Sequence, residues 1–133
     1  MLKADVMDMH DVVLVVGSGL NARVSAARYL KSRGLFVCEA DDAASAVAML
    51  SQLRATAVLL DGDHLEDGDA AGVARALVPY PQPSLVYLSA RPASLVPGKL
   101  LPYLLRKPCD PALLLETLRR LGARPACSTE SVP

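Results

Sequence analysis

Three polar residues, Asp61, Ser89 and Lys107, each come at or just after the end of a short apolar run. A carboxylate such as that of Asp61 can act as a nucleophile towards a phosphoryl donor. A hydroxyl can donate a hydrogen bond to one phosphoryl oxygen, and an ammonium group can pair with another. Because phosphoryl transfer depends mostly on positioning and charge stabilisation, these residues would handle a phosphoryl group if the fold brings them together.

A second pattern with chemical meaning is the turn Gly17-Ser18-Gly19, which follows the apolar run 12–16. Together with residues 20–22 it reads G-S-G-L-N-A and matches the G-x-G-x-x-A fingerprint of dinucleotide-binding folds. Acids that could hold a ribose lie about 20 residues further on: Glu39, Asp41 and Asp42. The backbone amides of such a turn could also hold an anion. Nucleotide binding is therefore the alternative function, although it leaves Asp61 and Lys107 unexplained.

The elements that must position these residues alternate between strand and helix about five times. The predicted strands are 12–16, 35–38, 57–60, 85–88 and 103–105. The predicted helices run from a cap at Asn21 to Gly34, from a cap at Asp41 or Asp42 through Leu53, over 70–77, and from Pro111 to Leu121.

The strand runs are continuously apolar, as is typical of parallel strands that are covered on both faces. Short connections then predict an α/β/α sandwich of three layers with a parallel sheet. In such sheets the working site lies at the carboxyl ends of the strands, where Asp61, Ser89 and Lys107 are expected to lie. The prolines at 92, 97 and 102 leave at most one helical turn, near Ala93–Val96, because proline disrupts a helix interior.

Composition excludes several other classes of protein. The 133 residues suffice for one domain, and 14 basic residues balance 14 acidic ones. Direct nucleic-acid binding is not expected, because it usually requires a basic excess. No apolar run approaches the ~20 residues of a membrane span. The odd set Cys38, Cys109 and Cys127 fits unpaired cysteines in a reducing cytoplasm. His10 and His64 are expected to be surface residues.

The order of these pieces resembles the receiver (response-regulator, CheY-like) domain of two-component signalling, over about residues 11–121. Residues 58–61 match its phosphoacceptor strand, 88–91 its switch strand, and 107–111 the segment that leads into its last helix. The resemblance implies strand order 2-1-3-4-5, a short or missing fourth helix here, and a cis Lys107-Pro108 bond. It also implies that Asp61 is the phosphoacceptor and that Ser89 and Lys107 contact the phosphoryl group. Residues 1–10 are then an N-terminal extension and 122–133 a flexible tail.

The sequence departs from the receiver pattern at the metal site. Receivers carry two or three acids after the first strand that hold Mg²⁺, and here Gly17, Ser18 and Gly19 stand in those places. Mg²⁺ prefers carboxylate and other oxygen ligands in octahedral geometry. With only Asp61 and Asp63 left as weak candidate ligands, we expect weak or absent Mg²⁺ binding and a resting salt bridge between Asp61 and Lys107.

The expected function is therefore that of a degenerate receiver, which is not an enzyme and acts by binding another protein. A second departure supports this expectation: Leu104 stands where receivers usually carry a switch aromatic residue, and Tyr103 is one position away. The expected partners are a histidine kinase, a DNA-binding regulator or a second copy of the chain. Helix one and the last helix are the expected contact faces, and Leu35 and Phe36 are expected to be exposed at the sheet edge.

Overall fold

The computed structural model describes residues 12–77 and 84–120. Its strands are β1 (Val12–Val16), β2 (Phe36–Ala40), β3 (Ala57–Asp61), β4 (Ser84–Ser89) and β5 (Leu104–Arg106). Its helices are α1 (Leu20–Ser32), α2 (Ala43–Leu50), α3 (Asp67–Ala76) and α4 (Pro111–Arg120). The predicted extension 1–10, the tail 122–133, His10 and Cys127 lie outside the described residues.

The five strands form one parallel sheet in the order β2-β1-β3-β4-β5. The predicted fold and strand order are thus confirmed. Val16 pairs with Leu60 and Asp61 with Leu88, so the ends of the central strands are in register. Because all strands point the same way, their carboxyl ends share one edge of the sheet, and Asp61 and Ser89 lie on it.

The sheet is buried on both faces. Alternate residues of a strand point to opposite sides: Leu14 and Leu60 pack with Val73 of α3, while Val15 and Leu59 pack with Leu114 of α4. Every residue of β3 is buried, which explains its uninterrupted apolar sequence up to Asp61. No helix within the described ranges is long and apolar enough to cross a lipid bilayer.

Two helix starts differ from the prediction. Gly19, not Asn21, is the N-cap of α1, and no side chain caps that helix. Helix α3 begins at Asp67, three residues before the predicted start at position 70. The Asp42 cap of α2 is confirmed, because its carboxylate accepts a hydrogen bond from the Ser45 amide at 2.7 Å.

The exposed edge strand was predicted only in part. Phe36 is 38% exposed, as expected, but Leu35 is 4% exposed and belongs to the apolar cluster around Leu30 of α1. The edge is therefore less apolar than the sequence suggested, because Leu35 comes before β2 and turns inward.

The segment between β4 and β5 contains two 3₁₀ turns, Ala93–Leu95 and Leu101–Tyr103, and no α-helix. The expected loss of the helix that receivers carry between these two strands is confirmed. The second turn was not predicted: the sequence allowed at most one turn, near Ala93–Val96, and placed Tyr103 in the last strand. Val96 and Leu100 fix the segment to the core and are 5% and 0% exposed, whereas Leu95 is 61% exposed. Two buried side chains thus replace the continuous apolar stripe of a helix.

Candidate functional site

The carboxylate of Asp61 and the ammonium of Lys107 meet at the carboxyl edge of the sheet. Lys107 Nζ donates to Asp61 Oδ1 at 2.8 Å, which confirms the predicted salt bridge. Asp61 is only 7% exposed because it ends the fully buried β3. Lys107 follows β5, its backbone amide donates to the Ser89 carbonyl at 3.0 Å, and the Lys107-Pro108 bond is cis, as expected.

Ser89 belongs to the same cluster, but its hydroxyl does not donate to Asp61. It donates to Asp63 Oδ1 at 2.8 Å, and the Ala90 amide donates to Asp63 Oδ2 at 2.9 Å. Lys107 Nζ lies 3.3 Å from the same Oδ2. The three predicted residues are therefore brought together through Asp63, which sequence reasoning considered only as a weak metal ligand.

The backbone turn after β3 places Asp63 there. The Gly62–His64 segment is a 3₁₀ turn capped by Asp61, whose Oδ1 accepts a hydrogen bond from the Asp63 amide at 3.2 Å. Gly62 lies against the ring of Tyr87, and a Cβ at position 62 would overlap that ring. Only glycine at position 62 leaves room for this tight turn.

The charges at the site stabilise one another. Burial acts to raise the pKa of Asp63, but hydrogen bonds from the Ala90 amide and the Ser89 hydroxyl, together with Lys107, lower it overall. Burial acts to lower the pKa of Lys107, and its hydrogen bond to Asp61 and the charges of Asp61 and Asp63 raise it overall. Asp63 is thus ionised and Lys107 protonated at neutral pH.

The turn after β1 fills the space beside Asp61. A Cβ at Gly17 would lie 2.9 Å from the Asp61 Cβ, closer than real Cβ contacts come. Arg23 of α1 donates through Nη1 to the Gly17 carbonyl at 2.8 Å and through Nε to Glu39 at 3.1 Å. A guanidinium therefore lies against the turn where the receiver pattern has carboxylates.

His64 closes the same side of the site. A Cβ at Gly19 would come within 2.8 Å of its ring, and its carbonyl accepts from the Ser18 amide at 3.1 Å and the Ser18 hydroxyl at 2.9 Å. Its Nε2 lies 3.9 Å from Asp61 Oδ2. His64 is a surface residue, as predicted, with a side chain that is 42% exposed. Its place beside Asp61 was not predicted. Its position three residues after Asp61 was the sequence signal that could have indicated this.

Two backbone amides of the glycine turn already have acceptors within the chain. The Gly17 amide donates to the Ala40 carbonyl at 3.0 Å, and the Ser18 amide donates to His64. The proposed ribose acids also have partners in the chain: Glu39 binds Arg23, and Asp42 caps α2. These contacts occupy two of the turn's amides and two of the three candidate ribose acids, which weakens the nucleotide alternative.

A second hydrogen-bond chain leads from Ser89 away from Asp61. The Ser89 hydroxyl accepts from the Arg91 amide at 3.0 Å, and the Arg91 guanidinium donates to the Tyr87 hydroxyl and, at 3.0 Å, to Asp67. Tyr87 is fully buried, whereas Tyr103 is 42% exposed. The aromatic side chain that is linked to the site is Tyr87 on β4, which the sequence analysis did not single out.

An open, mostly apolar groove of about 540 Å³ leads to the site between α1 and α4. Its lining includes Asp61 and Lys107, together with Ala22 and Ala26 of α1 and Leu114 of α4. The buried Asp61 carboxylate is therefore approached from this side of the molecule.

No protein-family model and no curated protein matches the chain. Solved structures do match it. The chemotaxis response regulator CheY4 of Vibrio cholerae superimposes with a TM-score of 0.71 at 23% identity, over 85% of this chain and 99% of that one. A CheY-like receiver domain protein from Methanospirillum hungatei gives 0.69 at 17% identity, over 84% and 92%. The N-terminal domain of a response regulator/sensory box/GGDEF protein from Carboxydothermus hydrogenoformans gives 0.72 at 20% identity, over 84% and 93%.

These likenesses show that the chain has the fold of CheY-like response-regulator receiver domains. The match covers most of this chain and nearly the whole of each of these three domains. At such low identity it establishes the fold, and the role of each site residue has to be argued from its own contacts.

Proposed function

We propose that the chain is a degenerate receiver, a signalling module of two-component type that acts by binding another protein and does not turn over a substrate. The observation that carries this proposal is the Asp61–Lys107 ion pair at the carboxyl edge of a receiver-type sheet, with Ser89 at the end of the next strand. Asp61 is the candidate phosphoacceptor, and Ser89 and Lys107 are the candidate phosphoryl contacts. The site keeps these groups and lacks the acids of the first loop.

The contacts around Asp61 do not fit a Mg²⁺ ion. The Lys107 ammonium already pairs with the carboxylates of both Asp61 and Asp63, at 2.8 and 3.3 Å. Gly17 has no room for a side chain, and no group of three or more His, Cys, Asp or Glu residues in the described ranges could hold a metal. A divalent cation would have to displace the Lys107 ammonium from Asp61 and Asp63, the two carboxylates that it would need as ligands. We infer that Lys107 serves as the permanent counter-charge of the site.

The proposed mode of action is protein contact in the cytoplasm, with a histidine kinase, a DNA-binding regulator or a second copy of the chain as the partner. Two exposed apolar side chains mark the faces to test first: Leu20, 60% exposed at the start of α1, and Leu113, 42% exposed on α4. Replacing either one with a charged residue should weaken partner binding without changing the fold.

Incubation with a small phosphodonor in the presence of Mg²⁺, followed by intact-protein mass spectrometry, tests the proposal. We expect no Mg²⁺-dependent phosphoryl adduct on the wild-type chain. The Asp61→Asn variant is the matched control, because it removes the acceptor oxygen while it keeps the shape of the side chain. An adduct on the wild type that the variant lacks would show an active receiver.

A further inference from the structure

Asp63 occupies the centre of a small anion-binding cradle. Its Oδ1 accepts from the Ser89 hydroxyl at 2.8 Å, and its Oδ2 accepts from the Ala90 amide at 2.9 Å. The Lys107 ammonium lies 3.3 Å from Oδ2. A hydroxyl, a backbone amide and an ammonium from two different segments thus converge on one carboxylate, with charge-assisted geometry.

Two of these three donors, Ser89 and Lys107, are the groups that the proposed function assigns to a phosphoryl group, and the inference rests on that assignment. A carboxylate and a phosphoryl group share the feature that such a cradle recognises, which is negatively charged oxygen atoms close together. We propose that Asp63 is a built-in substitute for the phosphoryl group, which keeps the end of β4 in its anion-bound position without phosphorylation of Asp61.

The tether makes Asp63 a strong competitor for the cradle. The carboxylate is on the second residue after Asp61, in a turn that Asp61 itself caps. Because the Asp63 carboxylate is attached to the chain beside the cradle, its effective concentration there is high. A free oxyanion can bind only by displacing this carboxylate. The lowered pKa of Asp63 means that the competing group is an anion at neutral pH.

The cradle is connected to the surface on its other side. Ser89 accepts from the Arg91 amide, and the Arg91 side chain holds Tyr87 and Asp67. The Lys107 amide donates to the Ser89 carbonyl. An anion that fixes Ser89 therefore also fixes the start of the segment between β4 and β5 and the first turn of α3. Asp63 therefore sets the conformation that these two surface segments present to a partner protein.

Nuclear magnetic resonance on the labelled full chain tests this directly. In the wild type we expect a through-hydrogen-bond coupling between the Ala90 amide nitrogen and the Asp63 carboxyl carbon. Titration with inorganic phosphate at constant ionic strength should leave the Ala90 amide signal of the wild type in place. In Asp63→Ala the same titration should give a saturable shift of that signal, because the cradle is then empty.

Asp69→Ala is the matched control, since it removes an exposed acid from the nearby α3 and should behave as the wild type. An absent coupling, or equal phosphate shifts in the wild type and Asp63→Ala, would overturn the inference. So would a lack of response in both proteins, because the cradle would then not bind oxyanions. The proposed function fails on a different result, Mg²⁺-dependent phosphorylation of Asp61.

Discussion

At the scale of single residues, the site is an arrangement of two carboxylates around one ammonium group. Asp61 is almost completely buried, and the side chain of Lys107 is 25% exposed. A buried carboxylate that loses its partner keeps its desolvation cost without the compensating attraction. We therefore expect Lys107 to stabilise the fold, independently of the role proposed for it in signalling.

Lys107→Met should lower the free energy of unfolding by about 3 kcal/mol, because it leaves Asp61 buried and unpaired. Urea unfolding followed by circular dichroism measures this, since the chain has no Trp. Lys31→Met is the matched control: Lys31 is 54% exposed and 4.0 Å from Glu39, so its loss should cost less than about 0.5 kcal/mol. The double variant Asp61→Asn/Lys107→Met should be more stable than Lys107→Met alone, because no charged carboxylate is then left unpaired at position 61. If the destabilisation of the double variant equals the sum of the two single variants, the ion-pair account is contradicted.

Asp63 should make the stability of the fold depend on pH in the acid range. Its folded-state pKa lies below the unfolded value of about 3.9, so its ionised form stabilises the fold above that value. This contribution is lost as the pH falls through the folded-state pKa. Asp63→Asn should therefore be less stable than the wild type by about 1 to 2 kcal/mol at pH 7, and the difference should shrink below about pH 4.

Urea unfolding at a series of pH values measures this difference. The titratable groups that face Asp63 are Asp61, Lys107 and Tyr87, and of these only Asp61 is a carboxyl group. The Asp61→Asn background therefore separates the two acids. A difference between wild type and Asp63→Asn that stays constant down to the lowest pH would contradict the assignment.

At the scale of elements, two loops decide what the site can do. The turn after β1 packs directly on Asp61 through Gly17 and is covered by His64. The turn after β3 directs Asp63 towards β4. The first loop has thus become a packing surface, and the second supplies the anion.

Gly17→Ala should destabilise the fold by about 1 to 3 kcal/mol, because the added Cβ would overlap that of Asp61 and force the two loops apart. Gly68→Ala is the control. Nothing lies within 4 Å of a Cβ there, and alanine should stabilise the first turn of α3 by up to about 1 kcal/mol. Thermal unfolding of the two variants measures both effects. Equal stability of the two would show that the first loop is not packed as described.

The segment between β4 and β5 depends on a few buried contacts. Leu100 is completely buried, whereas the adjacent Leu101 is 37% exposed. Leu100→Ala should cost about 2 to 4 kcal/mol, and Leu101→Ala should cost less than about 1 kcal/mol. Urea unfolding compares them. Similar costs would mean that the segment is not fixed in the way that these contacts imply.

At the scale of the whole molecule, the sheet was predictable because its signals are local. Uninterrupted apolar runs such as 12–16 and 57–60 indicate buried parallel strands, and the register then places Asp61 and Ser89 on the same edge. The network around Asp63 was not predictable. It depends on the tight turn at Gly62 beside the ring of Tyr87 and on the amide of Ala90, which lies 27 residues after Asp63 in the chain. None of these features produces a periodic pattern in the sequence.

The chain thus combines a receiver-type fold with a site whose charges are already paired. The predicted lack of Mg²⁺ binding separates this account from that of an active receiver, and nuclear magnetic resonance can test it residue by residue. On addition of millimolar Mg²⁺, the amide signals of Asp61, Asp63 and His64 should not shift in the wild type. Saturable shifts at these residues that disappear in Asp61→Asn would contradict the account.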